Sequence, residues 1–184
     1  MIIFAGALKR WKEHSDIPAH WKKSQERKAP PGVTRRPVEI EWRGKKVVDL
    51  PGFGFMSGLP REVQERIKDE IVHFIEDNAD RIELAVLVVD GKAAPEIIDR
   101  WEKRGEIPID VEFYQFLREL EIPTIVAVNK IDKVKNVGAV INFLAEKFGV
   151  PYSEVNKTFV PISAKFGKNL DALKTLMEKK RRKS

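Results

Sequence analysis

The chain has 184 residues and a formal net charge of +6, from 34 basic and 28 acidic residues. It contains no cysteine, which excludes disulfide bonds and thiolate metal sites, and no apolar run approaches the roughly 18 residues of a membrane span. The opening residues 1–5 lack the basic leader of a signal peptide. We therefore expect one domain over residues 1–184 that is cytoplasmic, monomeric and without a membrane partner. The positive charge suits an RNA or ribosome partner, although many charged proteins bind neither.

The apolar pattern predicts strands and helices that alternate along the chain. Strands are predicted at residues 2–5, 38–42, 47–50, 84–89, 124–128 and 158–162. Helices are predicted around residues 63–75, 113–120 and 140–148, and from residue 170 onward. This alternation favours an α/β fold with three layers, in which a mostly parallel six-stranded sheet carries helices on both faces. The hairpin at residues 38–50 adds one antiparallel edge strand.

Two short strings at the ends of apolar runs indicate nucleotide chemistry. Asn129-Lys130-Ile131-Asp132 follows one predicted strand, and Ser163-Ala164-Lys165 follows another. A carboxylate two residues beyond a lysine can accept hydrogen bonds from N1–H and the 2-amino group of guanine, which adenine does not supply. Asp132 is therefore predicted to select GTP over ATP. The alternative interpretation is that both strings are merely turns at strand ends.

Further strings occur upstream in a fixed order: Pro31-Gly32-Val33-Thr34, then Asp49-Leu50-Pro51-Gly52, then Phe53-Gly54-Phe55. Together with the two guanine strings, they resemble the EngB family of small ribosome-assembly GTPases, in an archaeal-like form. The resemblance covers residues 31–176. It implies a P-loop GTPase-like fold, Mg²⁺-dependent binding of GTP and GDP, and slow hydrolysis. It also implies a role in ribosome assembly and in cell division at septation, with a ribosomal subunit or rRNA as partner.

The resemblance also assigns roles to individual residues. Those implied to bind GTP are Gly32, Val33, Thr34, Arg35, Arg36, Asp49, Leu50, Pro51, Gly52, Asn129, Lys130, Ile131, Asp132, Ile162, Ser163 and Ala164. Thr34 and Asp49 are the implied Mg²⁺ ligands, Asp49 through a water, and the Gly52 N–H is implied to meet the γ-phosphate. At the base, Asn129 would contact the edge, the Lys130 stem would cover the ring, and the Ala164 N–H would reach O6.

Hydrolysis is expected to be slow. Phe53 stands where Ras-type proteins carry a glutamine that orients the attacking water, and an apolar side chain cannot align water. No catalytic residue is therefore assigned, and hydrolysis would depend on a ribosomal or other activator.

The phosphate loop that this resemblance demands, G-x-x-x-x-G-K-[S/T], occurs nowhere in the chain. Residues 7–30 stand in its place and in place of the first helix. This segment holds two of the four tryptophans and two of the three histidines, and Pro18 interrupts what should be a helix.

Reverse translation tests whether residues 7–30 are out of frame. Tryptophan has the single codon TGG, so reading one base later forces glycine from Trp11-Lys12 and again from Trp21-Lys22. The shifted frame permits the string G-R-S-N-V-G-K-S-T-L-I-Y-R-L-T-G-K-K-V, which is a complete phosphate loop followed by an apolar helix. We therefore hypothesise a frameshift that enters near Gly6 and leaves near Pro31. The competing interpretations are a divergent basic segment and a deliberate replacement.

If the chain exists as written, lost phosphate contacts would weaken GTP binding by roughly a hundredfold or more. The alternative function is then a nucleotide-deficient relative that acts as a basic RNA- or ribosome-binding protein. Residues 179–184 form a basic tail, which is either a solvated terminus or a surface for rRNA phosphates.

Overall fold

The computed structural model describes residues 1–6, 37–42, 44–50 and 60–180. In these ranges the strands are β1 Ile2–Gly6, β2 Val38–Trp42, β3 Lys45–Asp49, β4 Leu84–Asp90, β5 Thr124–Asn129 and β6 Phe159–Pro161. The α-helices are α1 Arg61–Asp77, α2 Ala94–Glu102, α3 Ile109–Glu119, α4 Val137–Lys147, α5 Val155–Thr158 and α6 Leu170–Lys180. Single 3₁₀ turns lie at Ala79–Arg81, Ile131–Lys133 and Tyr152–Glu154.

All six strands belong to one sheet, in the order β2-β3-β1-β4-β5-β6. The pairs β1/β3, β1/β4, β4/β5 and β5/β6 are parallel, whereas β2 pairs with β3 antiparallel at the edge. This arrangement confirms the predicted mostly parallel sheet with one antiparallel edge strand. The central strand β4 is apolar from Leu84 to Val89 and buried throughout that run, as expected for a parallel strand covered on both faces.

Helices cover both faces of the sheet. On one face, α1 to α4 contribute Ile71, Ile98, Leu117 and Leu144 to a core that includes alternate strand residues such as Ile3. On the other face, α6 packs Leu170, Leu173 and Met177 against strand residues that include Ile2, Phe4 and Val86. Because successive side chains of a strand point to opposite faces, β1 contributes to both cores. The result is the three-layer arrangement that the alternating pattern predicts.

Helix α2 has no counterpart among the sequence predictions. It begins at Ala94 with Pro95 in its first turn, and its buried residues are Ala94 and Ile98, while Ile97 is 39% exposed. The apolar residues Ala94, Ile97, Ile98 and Trp101 recur at the spacing of one helical face, so the sequence held a signal for this helix that the prediction did not use. Among the residues that the structure describes, no helix has the length and apolar character needed to cross a bilayer.

The carboxyl ends of the parallel strands all meet at one edge of the sheet. β1 lies in the middle of the order, and the chain continues to β3 on one side of it and to β4 on the other. Such a reversal of strand order leaves a crevice outside the carboxyl ends, where open α/β sheets bind ligands. The residues that end the parallel strands at this edge are Gly6, Asp49, Asp90, Asn129 and Pro161.

Candidate functional site

The side chain of Asn129 joins the loop after β5 to the loop after β6. Its Oδ1 accepts the backbone N–H of Lys130 at 2.7 Å and the backbone N–H of Ala164 at 3.0 Å. Ala164 is buried and lies three residues beyond the end of β6. One amide oxygen therefore fixes the relative position of two loops that are 35 residues apart in sequence.

A second contact between the same loops involves Asp132 and Ser163. The Ser163 hydroxyl donates to Asp132 Oδ1 at 2.5 Å. Ser163 is completely buried, whereas Asp132 is exposed. The hydroxyl is the main cause that holds the pKa of the Asp132 carboxyl below its usual range, and the charges of Lys133 and Lys165 act in the same direction. Asp132 is therefore an ionised acceptor at neutral pH.

Backbone hydrogen bonds stiffen both loops. Ile131 N–H donates to the Ile162 carbonyl at 3.2 Å, and Ile162 N–H donates to the Val128 carbonyl at 2.8 Å. Ser163 and Lys168 exchange two backbone hydrogen bonds of 3.1 Å each, which close the turn between them. The predicted base-binding residues of the two loops are thus brought together on a rigid support.

Lys130 is turned back across the edge of the sheet. Its backbone is left-handed, with φ of 64°, and its ammonium forms an ion pair with Asp90 Oδ2. Asp90 ends β4 and lies directly opposite Asn129 in the register of β4 and β5. Its other oxygen, Oδ1, accepts the backbone N–H groups of Lys92 at 3.0 Å and Ala93 at 3.2 Å.

Gly91 lets the loop after β4 lie close against the end of β5. Its N–H donates to the Asn129 carbonyl at 2.8 Å, and a Cβ on Gly91 would stand only 2.7 Å from Val128 Cγ1. Sequence reasoning did not single out Asp90 or Gly91. The sequence did contain a signal for them, because Asp90 and Gly91 directly follow the apolar run 84–89, just as Asn129 directly follows the apolar run 124–128.

Asp49 lies at the same edge of the sheet but on the far side of β1. It ends β3, is 2% exposed, and pairs in register with Phe4 of β1, while Leu50 N–H donates to the Phe4 carbonyl at 2.8 Å. Three strand spacings separate β3 from β5, which is about 14 Å. The remaining predicted site residues, Gly32, Val33, Thr34, Arg35, Arg36, Pro51 and Gly52, fall outside the described residues, as do Phe53 and residues 7–30.

The edge formed by these loops combines an ionised carboxylate, a side-chain amide and a main-chain N–H group within two neighbouring turns. Such a set can hydrogen-bond the edge of a planar heterocycle. Across the described ranges, no group of three or more His, Cys, Asp or Glu side chains is arranged to hold a metal ion.

Comparison with known proteins decides the family. Residues 72–182 match the family model described as the elongation factor Tu GTP binding domain. A probable GTP-binding protein EngB of Pyrococcus abyssi is 76% identical over 144 residues, which cover 78% of this chain and 68% of the relative. The protein of the same description from Pyrococcus horikoshii is 70% identical over 173 residues, covering 94% of this chain and 80% of the relative. The chain belongs to the EngB family of GTP-binding proteins.

Solved structures agree with this EngB assignment. The crystal structure of a probable GTP-binding protein EngB superposes with a TM-score of 0.86 at 66% identity, covering 97% of this chain and 96% of that one. A structure of Era in complex with MgGDPNP and a 16S ribosomal RNA fragment has a TM-score of 0.61 at 20% identity, covering 100% of this chain and 57% of that one. The likeness to Era shows a shared fold alone.

Proposed function

We propose that this EngB-family chain holds the guanine base of GTP or GDP between the loops after β5 and β6. The proposal rests on two hydrogen bonds between these loops. The Ala164 N–H donates to Asn129 Oδ1, and the Ser163 hydroxyl donates to Asp132 Oδ1. Together they present the exposed, ionised carboxylate of Asp132 beside a main-chain donor. A carboxylate so placed accepts N1–H and the 2-amino group of guanine and rejects adenine, because adenine would leave it unpaired.

The same proposal assigns the other base-binding roles. Ala164 N–H already donates to Asn129 Oδ1, so its bond to the guanine O6 is a shared, three-centre hydrogen bond. The Lys130 stem covers one face of the ring. Ile131 and Ile162 act through their backbones, since both side chains are buried.

Mg²⁺ accompanies the nucleotide in this proposal, held by Thr34 directly and by Asp49 through a water. Asp49 suits the ion because Mg²⁺ prefers oxygen ligands and is commonly held by one or two protein oxygens together with substrate phosphates and water. Bound Mg²⁺ would neutralise phosphate charge. The same proposal assigns residues 32–36 and 50–52 to the phosphates, and the position of Asp49 at the end of β3 supports it.

We further propose that hydrolysis is slow and that the cellular role is ribosome assembly, with an effect on cell division, in the cytoplasm. Support comes from the net charge of +6, the basic tail at residues 179–184, and Phe53 at the water-orienting position. The Era relative of the same fold was crystallised with a ribosomal RNA fragment. A ribosomal subunit or rRNA is therefore the proposed partner.

One observation favours a second candidate function. The sequence G-x-x-x-x-G-K-[S/T] is missing from the chain, and with it the lysine and backbone donors that hold phosphates. A chain with residues 7–30 as written would keep the base-recognition edge but bind GTP at least about a hundredfold more weakly. It would then act as a basic RNA- or ribosome-binding protein.

Nucleotide titrations test the proposed function. The chain is titrated with the Mg²⁺ complexes of GTP, ATP and xanthosine triphosphate, and the same series is repeated with Asp132→Asn. We expect micromolar GTP binding, a preference for GTP over ATP, and a shift of the variant's preference toward the xanthine nucleotide. Asp171→Asn, which removes a 97% exposed carboxylate on α6, serves as the matched control. An Asp132→Asn variant without improved xanthine binding contradicts the role of Asp132.

Sequencing the source DNA across codons 5–32 separates the two candidate functions. A continuous reading frame that restores Gly-Lys-Ser favours the GTPase and makes the segment at 7–30 an artefact. Codons that encode residues 7–30 as written favour the nucleotide-deficient protein, for which no GTP turnover is expected.

A further inference from the structure

We call residues 129–132 after β5 and residues 162–165 after β6 the guanine loops. Asp90 lies in neither loop, but its side chain contacts Lys130 in the first of them. The side chain of Lys130 runs from the end of β5 back to the end of β4, where its ammonium pairs with Asp90 Oδ2. Asp90 and Asn129 are direct register partners on these two strands. The pair therefore joins Lys130 to the strand beside its own.

The carboxylate of Asp90 is itself held in place. Its Oδ1 accepts two successive backbone N–H groups, from Lys92 and Ala93, at the start of α2. The next residue, Gly91, donates its N–H to the Asn129 carbonyl at 2.8 Å and has no room for a Cβ beside Val128. Because Oδ1 and the neighbouring backbone are fixed, Oδ2 is presented to Lys130 in one orientation.

An ordered Lys130 matters for binding because lysine is among the side chains that lose most rotational freedom when they are fixed. A side chain that is already ordered before the ligand arrives opposes binding less than one that must be ordered by it. The Lys130 side chain is 50% exposed in the ion pair, so part of it remains accessible to a ligand.

We propose that Asp90 is a positioning residue of the guanine site, which orders the Lys130 stem along the carboxyl edge of the sheet before the nucleotide binds. The inference rests on the proposed function, because it assigns Lys130 to the face of the base. Asp90 makes its contribution through Lys130 and not by touching the nucleotide.

The test compares Asp90→Asn with Glu102→Gln in the full chain. Asparagine keeps an oxygen for the Lys92 and Ala93 N–H groups but removes the charge that faces Lys130. Glu102→Gln is the matched control, because it neutralises the carboxylate of another lysine pair, with Lys147, whose 2.7 Å contact lies outside the guanine loops. Dissociation of a fluorescent GDP is measured with Mg²⁺ present.

Asp90→Asn is expected to release GDP about two- to fivefold faster than the unmodified chain, the range expected for a partly exposed ion pair. Glu102→Gln is expected to leave the rate unchanged. The difference should shrink in about 1 M salt, where the screening length falls to ~3 Å. A purely structural role of Asp90 would lower the melting temperature without this salt dependence.

A double-mutant cycle with Lys130→Met isolates the pair. If Asp90 acts through Lys130, adding Asp90→Asn to Lys130→Met changes the GDP dissociation rate no further. Additive effects would overturn the inference, and so would slower dissociation in Asp90→Asn, which would mean that the pair restrains binding. If the unmodified chain binds GDP, either of these two results overturns the role of Asp90 but leaves the proposed function standing. Failure of the unmodified chain to bind GDP would overturn both.

Discussion

The Ala164 backbone N–H donates to Asn129 Oδ1 at 3.0 Å and so joins the ends of two parallel strands. The same oxygen also accepts the N–H of Lys130, so one side chain organises the turn in which it lies and the turn beside it. The proposed guanine site is therefore linked to the integrity of the sheet edge.

Replacing Asn129 should separate these two roles. Asn129→Ala removes both accepted hydrogen bonds and is expected to lower the free energy of unfolding by about 1–2 kcal/mol. Asn129→Asp keeps an oxygen acceptor for both N–H groups but loses the amide donor, so its stability should stay closer to that of the unmodified chain. Both variants should bind GDP more weakly. Denaturant unfolding and GDP titration measure the two effects, and an Asn129→Asp variant as unstable as Asn129→Ala would refute the structural role.

Ser163→Ala should change the titration of Asp132. The hydroxyl of Ser163 is the main cause of the lowered Asp132 pKa, so its removal is expected to raise that pKa toward the ordinary value. A lowered pKa in the folded state means that the associated stabilisation is present above the unfolded-state pKa and is lost as pH falls through the folded value. Because a protonated Asp132 no longer accepts both guanine N–H groups, GDP binding should also be lost at a higher pH in Ser163→Ala than in the unmodified chain. Carboxyl ¹³C NMR of Asp132 over the acid range measures the shift, and identical titrations in both proteins would contradict it.

Asp110 is expected to destabilise the fold at neutral pH. It lies in the first turn of α3, and burial raises the pKa of its carboxyl to about 6. A raised folded-state pKa makes the ionised form unfavourable, so the penalty is absent below about pH 4, grows up to pH 6 and is constant above that. Asp110→Asn should increase the free energy of unfolding at neutral pH by at most about 3 kcal/mol. The gain should fall short of this limit because the Asp110 residue is only half-buried.

The control for this prediction is Asp171→Asn, in the first turn of α6, where the carboxylate is 97% exposed. Denaturant unfolding of both variants is compared at neutral pH and near pH 4. A gain in Asp110→Asn that persists undiminished at the lower pH would show that ionisation is not its cause.

Gly6 should not tolerate a side chain. It ends β1 with φ of 113°, and a Cβ there would lie 2.4 Å from the Val88 carbonyl oxygen. Gly6→Ala is therefore expected to cost about 2–4 kcal/mol, from backbone strain and overpacking together. Gly44→Ala is the matched control, since Gly44 also has a positive φ, of 71°, but nothing lies within 4 Å of the added Cβ. It should cost only about 1–2 kcal/mol, and equal losses in the two variants would show that the Val88 contact is unimportant.

The sequence predicts the sheet well because its strands carry unambiguous patterns. The continuous apolar run Leu84–Val89 predicts a strand that is buried on both faces. The period-two alternation of residues 38–42 predicts a strand with one buried face, as found at the edge of the sheet. Helix α2 was not predicted, although Ala94, Ile97, Ile98 and Trp101 recur at helical spacing; the segment has only nine residues and carries Pro95 at its start. Its position is set by contacts with α4 and by the burial of Ala94 and Ile98 in the core, which a local pattern does not record.

The guanine loops are predicted by residue type, but their contacts are not. Residues 129–132 and 163–165 follow buried strands, so their place at the sheet edge follows from the sequence. The pairing of Asp132 with Ser163, and of Lys130 with Asp90, joins residues 31 and 40 positions apart. These contacts depend on which strands are neighbours in the sheet and on the direction of the side chains at the strand ends. Neither property can be read from a local sequence pattern.

The most direct test of a guanine pocket between the loops after β5 and β6 is backbone amide NMR of the chain titrated with the Mg²⁺ complex of GDP. A pocket at this position predicts saturable shifts at Ala164, Lys130 and Asp132, and much smaller shifts with the adenine nucleotide at the same concentration. Binding of GDP that leaves these three amides unchanged, or equal shifts with guanine and adenine nucleotides, would contradict it.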